Sequence, residues 1–336
     1  MICRMGPVRI ALLCACLPAC GAPGTMAPKP LEARSSPREV SPPVAVDPEF
    51  VAWLPERYEA EIFVDYDALR ACDLMDVVER VPMVSEFLDS LAKGYGCSFD
   101  ELRLTRTGIG SIEPGDSFAQ RTISVARIAA RPLSRTMPAP WQPLRFSHHD
   151  GFYFVEGVSR PPAVLWPSAD LAVAGDRELL LRAANGESRG GPHPELQPLL
   201  PVEGTLAQVA VGCFERKMHE SLGTIGWFWH DEQDPARFVR FALSYGDDEQ
   251  VVLSMTVRFL CGTTGLTEVE KDLRQKLDAV LGDESLRSFH ELVSDLQLVH
   301  LGKDLHATLP LGSVREAYRK LERAAFALMA IAASRR

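Results

Sequence analysis

Ser90 and Lys93 lie three residues apart in SLAK, a spacing that stacks a hydroxyl and an amine on one helical turn. A lysine so placed could activate the serine for acyl transfer, but such sites also need an S-D-N-like and a K-T-G-like element. The nearest here are SDL at 294 and GTTG at 262, which lack the Asn and the Lys. His148, His149 and Asp150 could offer metal ligands, yet they fall where a strand turns at Gly151. Adjacent strand residues point to opposite faces, so the two imidazoles cannot share an ion on regular backbone. GIGSIEPG (108–115) has two glycines at dinucleotide-loop spacing, lacks the third, and reads as a turn. These residues predict no catalytic set, no metal site and no cofactor.

The cysteines carry more information. Cys14, Cys16 and Cys20 fall within seven positions and have no histidine beside them, which argues against a zinc knot. Ahead of them, residues 1–9 contain Arg4 and Arg9 and no acid, and residues 10–17, IALLCACL, are apolar. A basic start, a short apolar run and small residues at its exit are the layout of a secretory signal. The run is far shorter than the roughly 20 residues that span a bilayer.

Leu17-Pro18-Ala19-Cys20, followed by Gly21, resembles the lipobox of bacterial lipoproteins. A second such box, Leu13-Cys14-Ala15-Cys16, would leave only Ile10 to Leu13 as apolar core, so Cys20 is preferred. The resemblance implies that residues 1–19 are a signal peptide cut before Cys20. It implies further that the Cys20 sulfur carries palmitate-type acyl chains, making the lipid bilayer a partner. Two or more such chains hold a protein stably to a membrane. Gly21 rather than Asp after the cysteine implies, by resemblance to Gram-negative sorting, an exported protein of the outer membrane. The resemblance reaches no further than these residues.

Residues 20–49 hold seven prolines and hardly a large apolar side chain. They predict a disordered, partly extended tether, because such composition cannot offset the entropy of ordering. Without residues 1–19 the chain has 34 basic and 45 acidic residues, a net charge of −11. That balance, with no Lys/Arg stripe, excludes nucleic acid as a partner.

Residues 50–185 and 205–336 read as two α+β domains joined by a Gly/Pro-rich linker at 186–204, although one continuous sheet with a long connection fits too. Expected strands include Glu61 to Asp65, LRLTRTGIG, RTISVARIAA, PLRFSHHDGFYFVEG, AVLWPSADLAVAG and GTLAQVAVGC. A helix with apolar Leu69, Val77 and Val81 follows the first of them, and Asp176 caps another. Hairpins are expected around Gly246–Glu249 and around Gly302–Asp304. Thr267-x-x-Glu270 and Ser313-x-x-Glu316 are capping-box signatures, each expected to open a helix. The order predicts antiparallel sheets with helices packed on one face, in two halves of similar size.

Export makes an even cysteine count point to disulfides. Of three possible pairings, Cys72–Cys97 and Cys213–Cys261 are favoured because each closes within one half. Trp227, Phe228 and Trp229 stand together between Gly226 and an acidic run. They read either as rings filling a gap under a loop or as an exposed contact patch for a protein, a glycan or the membrane surface. The expectation is a membrane-anchored envelope lipoprotein that binds or scaffolds. The alternatives are an exported hydrolase with a site assembled from distant loops and a tethered solute-binding protein.

Overall fold

The computed structural model describes residues 48–76, 88–89, 91–110, 122–129, 146–149, 152–155, 163–186, 191–212, 236–246, 249–259, 263–283, 287, 290 and 294–323. Cys20, residues 21–47 of the tether, Cys213, Cys261 and Trp227 to Trp229 lie outside these residues, as do Val77, Val81 and Ser90; the tether's last two residues, Pro48 and Glu49, instead open a short helix, Pro48–Val51.

Period-two and continuous apolar runs become strands. The first half supplies β1 (Glu56–Tyr58), β2 (Ala60–Asp65), β3 (Leu102–Ile109), β4 (Thr122–Ile128), β5 (Phe146–His149), β6 (Phe152–Val155), β7 (Ala163–Ser168) and β8 (Leu171–Gly175). Next come β9 (Gly191–Pro192), then β10 (Thr205–Gly212), β11 (Ala236–Tyr245), β12 (Gln250–Phe259), β13 (Gln297–Leu301) and β14 (Asp304–Ser313). Twelve of these form one sheet in the order β13-β14-β12-β11-β10-β2-β3-β4-β8-β7-β6-β5. Every neighbouring pair in it is antiparallel. With the helices below, the fold is α+β. The halves meet where β2 pairs with β10, centred on Ile62 and Val209.

The strand order repeats outward from that centre. It runs β2, β3, β4, then β8 and β7 on one side, and β10, β11, β12, then β14 and β13 on the other.

One face of the sheet, the main face, carries α1 (Tyr66–Ala71) and the longer α3 (Thr263–Gly282), together with α4, residues 314–323. Its core takes Tyr66, Leu69, Leu102, Ala126 and Ala172 from the first half, and Leu206, Val251, Leu309, Leu311 and Ala317 from the second. The helices are not all on one face as expected, for the far face is covered by α2 (Arg177–Ala184), by Phe50, Leu54 and Tyr58, and by Leu196 and Leu199, in a core that also takes in Ala210 of β10 and Phe238 of β11. β4 and β8 are therefore buried on both sides, which is why they read as apolar runs without clean alternation.

Local signals explain most helix ends. Asp176 caps α2 by accepting from the amides of Glu178 (2.9 Å) and Leu179 (3.4 Å). The Glu316 carboxylate accepts from the Ser313 amide at 2.8 Å and from its hydroxyl at 2.9 Å, so this box opens α4. The Thr267 box does not open α3, which begins at Thr263. Glu270 is engaged elsewhere, accepting from Arg274 Nε at 2.7 Å and pairing with His300 on β13 at 2.6 Å. The described part of 186–204 is more than a linker. Its backbone bonds to β1, His193 N to Tyr58 O at 2.9 Å, and its leucines enter the far-face core.

Two further expectations need correction. GIGSIEPG does not begin as a turn, since Gly108 and Ile109 are the end of β3. A Cβ on Gly108 would lie 3.0 Å from Pro55 and 3.3 Å from the Tyr58 ring, so the glycine admits Tyr58 against the strand. Cys72 and Cys97 form no disulfide and are both thiols. Each sulfur turns back on its own helical segment, to Ala68 O (2.8 Å) and Ala92 O (3.4 Å) respectively. Burial, then the charges of Asp73 and Asp65, push the Cys72 thiol up. Denatured but unreduced protein should therefore take up an alkylating reagent at both residues, Cys72 reacting first in the native state; a linked Cys72–Cys97 peptide in the map would refute this.

Candidate functional site

Directly paired residues of an antiparallel sheet share a face, so the pairing register shows which polar side chains meet. On the far face the polar groups of the described strands fall into two sets, one in each half.

In the first half Glu61, 1 % exposed, lies on β2 and Arg106, 5 % exposed, on β3. Arg106 Nη2 donates to Glu61 Oε2 at 2.9 Å, and the Tyr58 hydroxyl donates to the same oxygen at 2.6 Å. Burial, then the charge of Glu61, pushes the Tyr58 hydroxyl far above its usual range. Phe50, Leu54 and the Tyr58 ring cover the pair, and Val125 and Val173 continue the row across β4 and β8. The two charges offset each other, while Glu61 Oε1 and Arg106 Nε are buried with no hydrogen-bond partner among the described residues.

The second set occupies equivalent positions. A two-fold relation through the Ile62–Val209 pair exchanges β2 with β10, β3 with β11, β4 with β12 and β8 with β14. Following the register, Glu61 corresponds to Gln208 and Arg106 to Arg240. Val125 corresponds to Thr256 and Val173 to His306. The contact is also repeated, because Arg240 Nε donates to Gln208 Oε1 at 2.8 Å. Gln208 is held by its amide nitrogen, which donates to Leu199 O at 2.5 Å.

Arg240 pairs directly with Thr256, and Thr256 with His306. Thr256 Oγ1 and His306 Nδ1 are 3.2 Å apart. Arg258, two residues along β12, lies 4.7 Å over the Phe238 ring and grips Asp304 with two bonds, of 2.5 and 2.7 Å. Among the described residues no carboxylate pairs with Arg240, and burial pulls its guanidinium below the usual value. Burial also lowers His306; Asp304 opposes this shift, and the cations of Arg240 and Arg258 reinforce it.

The residues singled out in the sequence do not converge on this face. Cys72 and Cys97 belong to the main face. His148 and His149 pair with Tyr153 and Phe152 in the β5–β6 hairpin, and Asp150 lies outside the described residues. No group of three or more His, Cys, Asp or Glu among the described residues could hold a metal ion. The set that does converge, Gln208, Arg240, Thr256 and His306, went unnoticed because its members lie on four strands. Arg240 alone leaves a trace, a charge inside the apolar run ARFVRFALSY.

Three solved structures resemble this chain. They are crystal forms III, I and IV of TP0453, at 10 %, 8 % and 10 % identity with TM-scores of 0.43, 0.42 and 0.43. The matches cover 83 %, 83 % and 86 % of this chain and 98 %, 97 % and 97 % of those. No protein-family model matches the sequence, and no curated protein does.

Two predictions follow from the paired sets. Arg106→Met strands a carboxylate in the core and should cost about 3–5 kcal/mol in urea unfolding. Combining it with Glu61→Leu should recover part of that loss, and a double variant worse than the single would contradict the pairing. His306 is held below its ordinary value of 6.5, so folding favours its neutral form. The protein should therefore keep this contribution above about pH 6.5 and lose it as the pH falls from there towards the lower folded value. His306→Asn should flatten that acid limb of the urea midpoint between about pH 5 and 7.

Proposed function

We propose that this protein is a lipid-anchored component of the bacterial envelope whose body binds or scaffolds rather than catalyses. Fatty acyl chains on Cys20 hold it to the bilayer, in the outer membrane by the sorting signal at Gly21. The proline-rich residues 21–49 act as the leash. No described helix is long and apolar enough to cross a membrane.

The single observation that supports a binding role is the far face of the second half. Three strands present Arg240, Thr256 and His306 there as one row, with Gln208 diagonal to Arg240, where the first half places the self-neutralised pair of Glu61 and Arg106 and two valines. A net charge of −11 after signal removal keeps the body away from anionic headgroups and nucleic acid, favouring a small ligand or an envelope protein as partner. Trp227, Phe228 and Trp229 would serve such a partner as a contact patch.

Mass spectrometry of protein purified from its own cells tests the anchor. The expected N-terminal peptide begins at an acylated Cys20, and Cys20→Ala should release the protein from membranes on fractionation. A bare Cys20 thiol, or a chain that retains its first nineteen residues, would overturn the reading.

A further inference from the structure

We infer that the second half carries a carboxylate-binding site on its far face, built from Arg240, Thr256 and His306. The inference deepens the binding-module reading by naming a ligand class, but it stands on side-chain geometry alone.

The first half shows how this framework treats a carboxylate. Arg106 stands diagonally across from Glu61 and binds it at 2.9 Å inside the sheet. The second half keeps the arginine, the cross-strand diagonal and the hydrogen bond, but exchanges the carboxylate for the Gln208 amide. An amide carbonyl satisfies one N–H and supplies no countercharge. Arg240 thus uses Nε on Gln208, and its two terminal nitrogens have no partner among the described residues. A guanidinium forks naturally onto a carboxylate through two parallel bonds, and desolvation strengthens that attraction.

The neighbouring exchanges point the same way. Where the first half places Val125 and Val173, the second places Thr256 and His306, a hydroxyl and an imidazole in line with Arg240. Thr256 and His306 are bonded to each other, and the second ring nitrogen of His306 has no partner among the described residues. Protonated, that nitrogen becomes another donor. The other cation, Arg258, is already occupied by both oxygens of Asp304, so it does not compete. The groups facing His306 are therefore Arg240, Arg258 and Asp304. Arg258 is matched by Asp304 and also feels the charge of Glu195, whereas Arg240 is bonded to no carboxylate among the described residues.

A carboxylate can come from a free small acid or from an acidic side chain on a peptide, and the test separates the two sources. The full chain, labelled at histidine, is titrated with sodium acetate and, separately, with a short Glu-containing amidated peptide, against sodium chloride at equal ionic strength. NMR should show the His306 ring shifting with each carboxylate and not with chloride, and its pKa rising as the anion binds. Response to acetate assigns a free-acid site, and response to the peptide alone assigns a side-chain site.

Gln208→Glu restores the internal carboxylate of the first half, and it should abolish the response while leaving the fold intact. Arg240→Met should weaken binding by about ten- to a hundredfold, the worth of a charged hydrogen-bonded contact. Should Arg240→Met fail to fold, Gln208→Glu still decides the matter. No shift with either probe, or equal shifts in wild type and Gln208→Glu, would overturn the assignment. Running the same titration on Cys20→Ala separates this outcome from the anchor, since the site should respond identically with or without acylation.

Discussion

The fold turns on β2, which is bonded along both edges, to β3 of its own half and to β10 of the other. Among the described residues nothing else joins the two sets of strands within the sheet. This central strand carries a carboxylate, Glu61, at a position almost closed to solvent. Such a charge is tolerable only with Arg106 and Tyr58 in place, and those partners fix the register. A slip of one residue would turn Glu61, and Phe63 with it, into the main-face core and put Ile62 and Val64 on the far face. The buried pair thus acts less as a source of stability than as a specification of how the halves align.

Around that pair the two halves solve one framework differently. The first closes its far face with α2 and with leucines delivered by the Gly/Pro-rich stretch. The second keeps the strand order but replaces an acid by an amide and two valines by polar residues. Charge follows topology here. The first half neutralises its buried charges, whereas the second, whose Ala210 and Phe238 join the same apolar core, retains a cation. The likeness between the halves lies in pairing register and escapes residue-by-residue comparison.

Most elements could be read directly from the chain, for local reasons. Alternation in QVVLSMTVRF, the Asp176 cap and the Ser313–Glu316 box are local signals, and local chemistry decides each of them. The start of α3 was misjudged because Glu270 prefers Arg274 and a strand-borne His300 to a capping role. GIG resembled a turn because glycine's smallness and its flexibility cannot be told apart in sequence; at Gly108 the smallness matters, making room for Tyr58. The Cys72–Cys97 pairing failed because proximity in sequence carries no information about where sulfurs point. The candidate site was illegible for a deeper reason. Gln208, Arg240, Thr256 and His306 become neighbours only when four strands settle into one register.

The central seam also governs how the protein must be made. A chain emerges amino terminus first, so β2 and its first-half neighbours are complete well before β10 exists. During that interval the inner edge of β2 is a row of unanswered amides and carbonyls beside Ile62 and Val64, a template for any stray strand. Closing it requires a contact between segments far apart along the chain, which is slow by nature. Until β10 arrives, half of this protein is an adhesive surface, and its safe biogenesis depends on keeping that edge solitary.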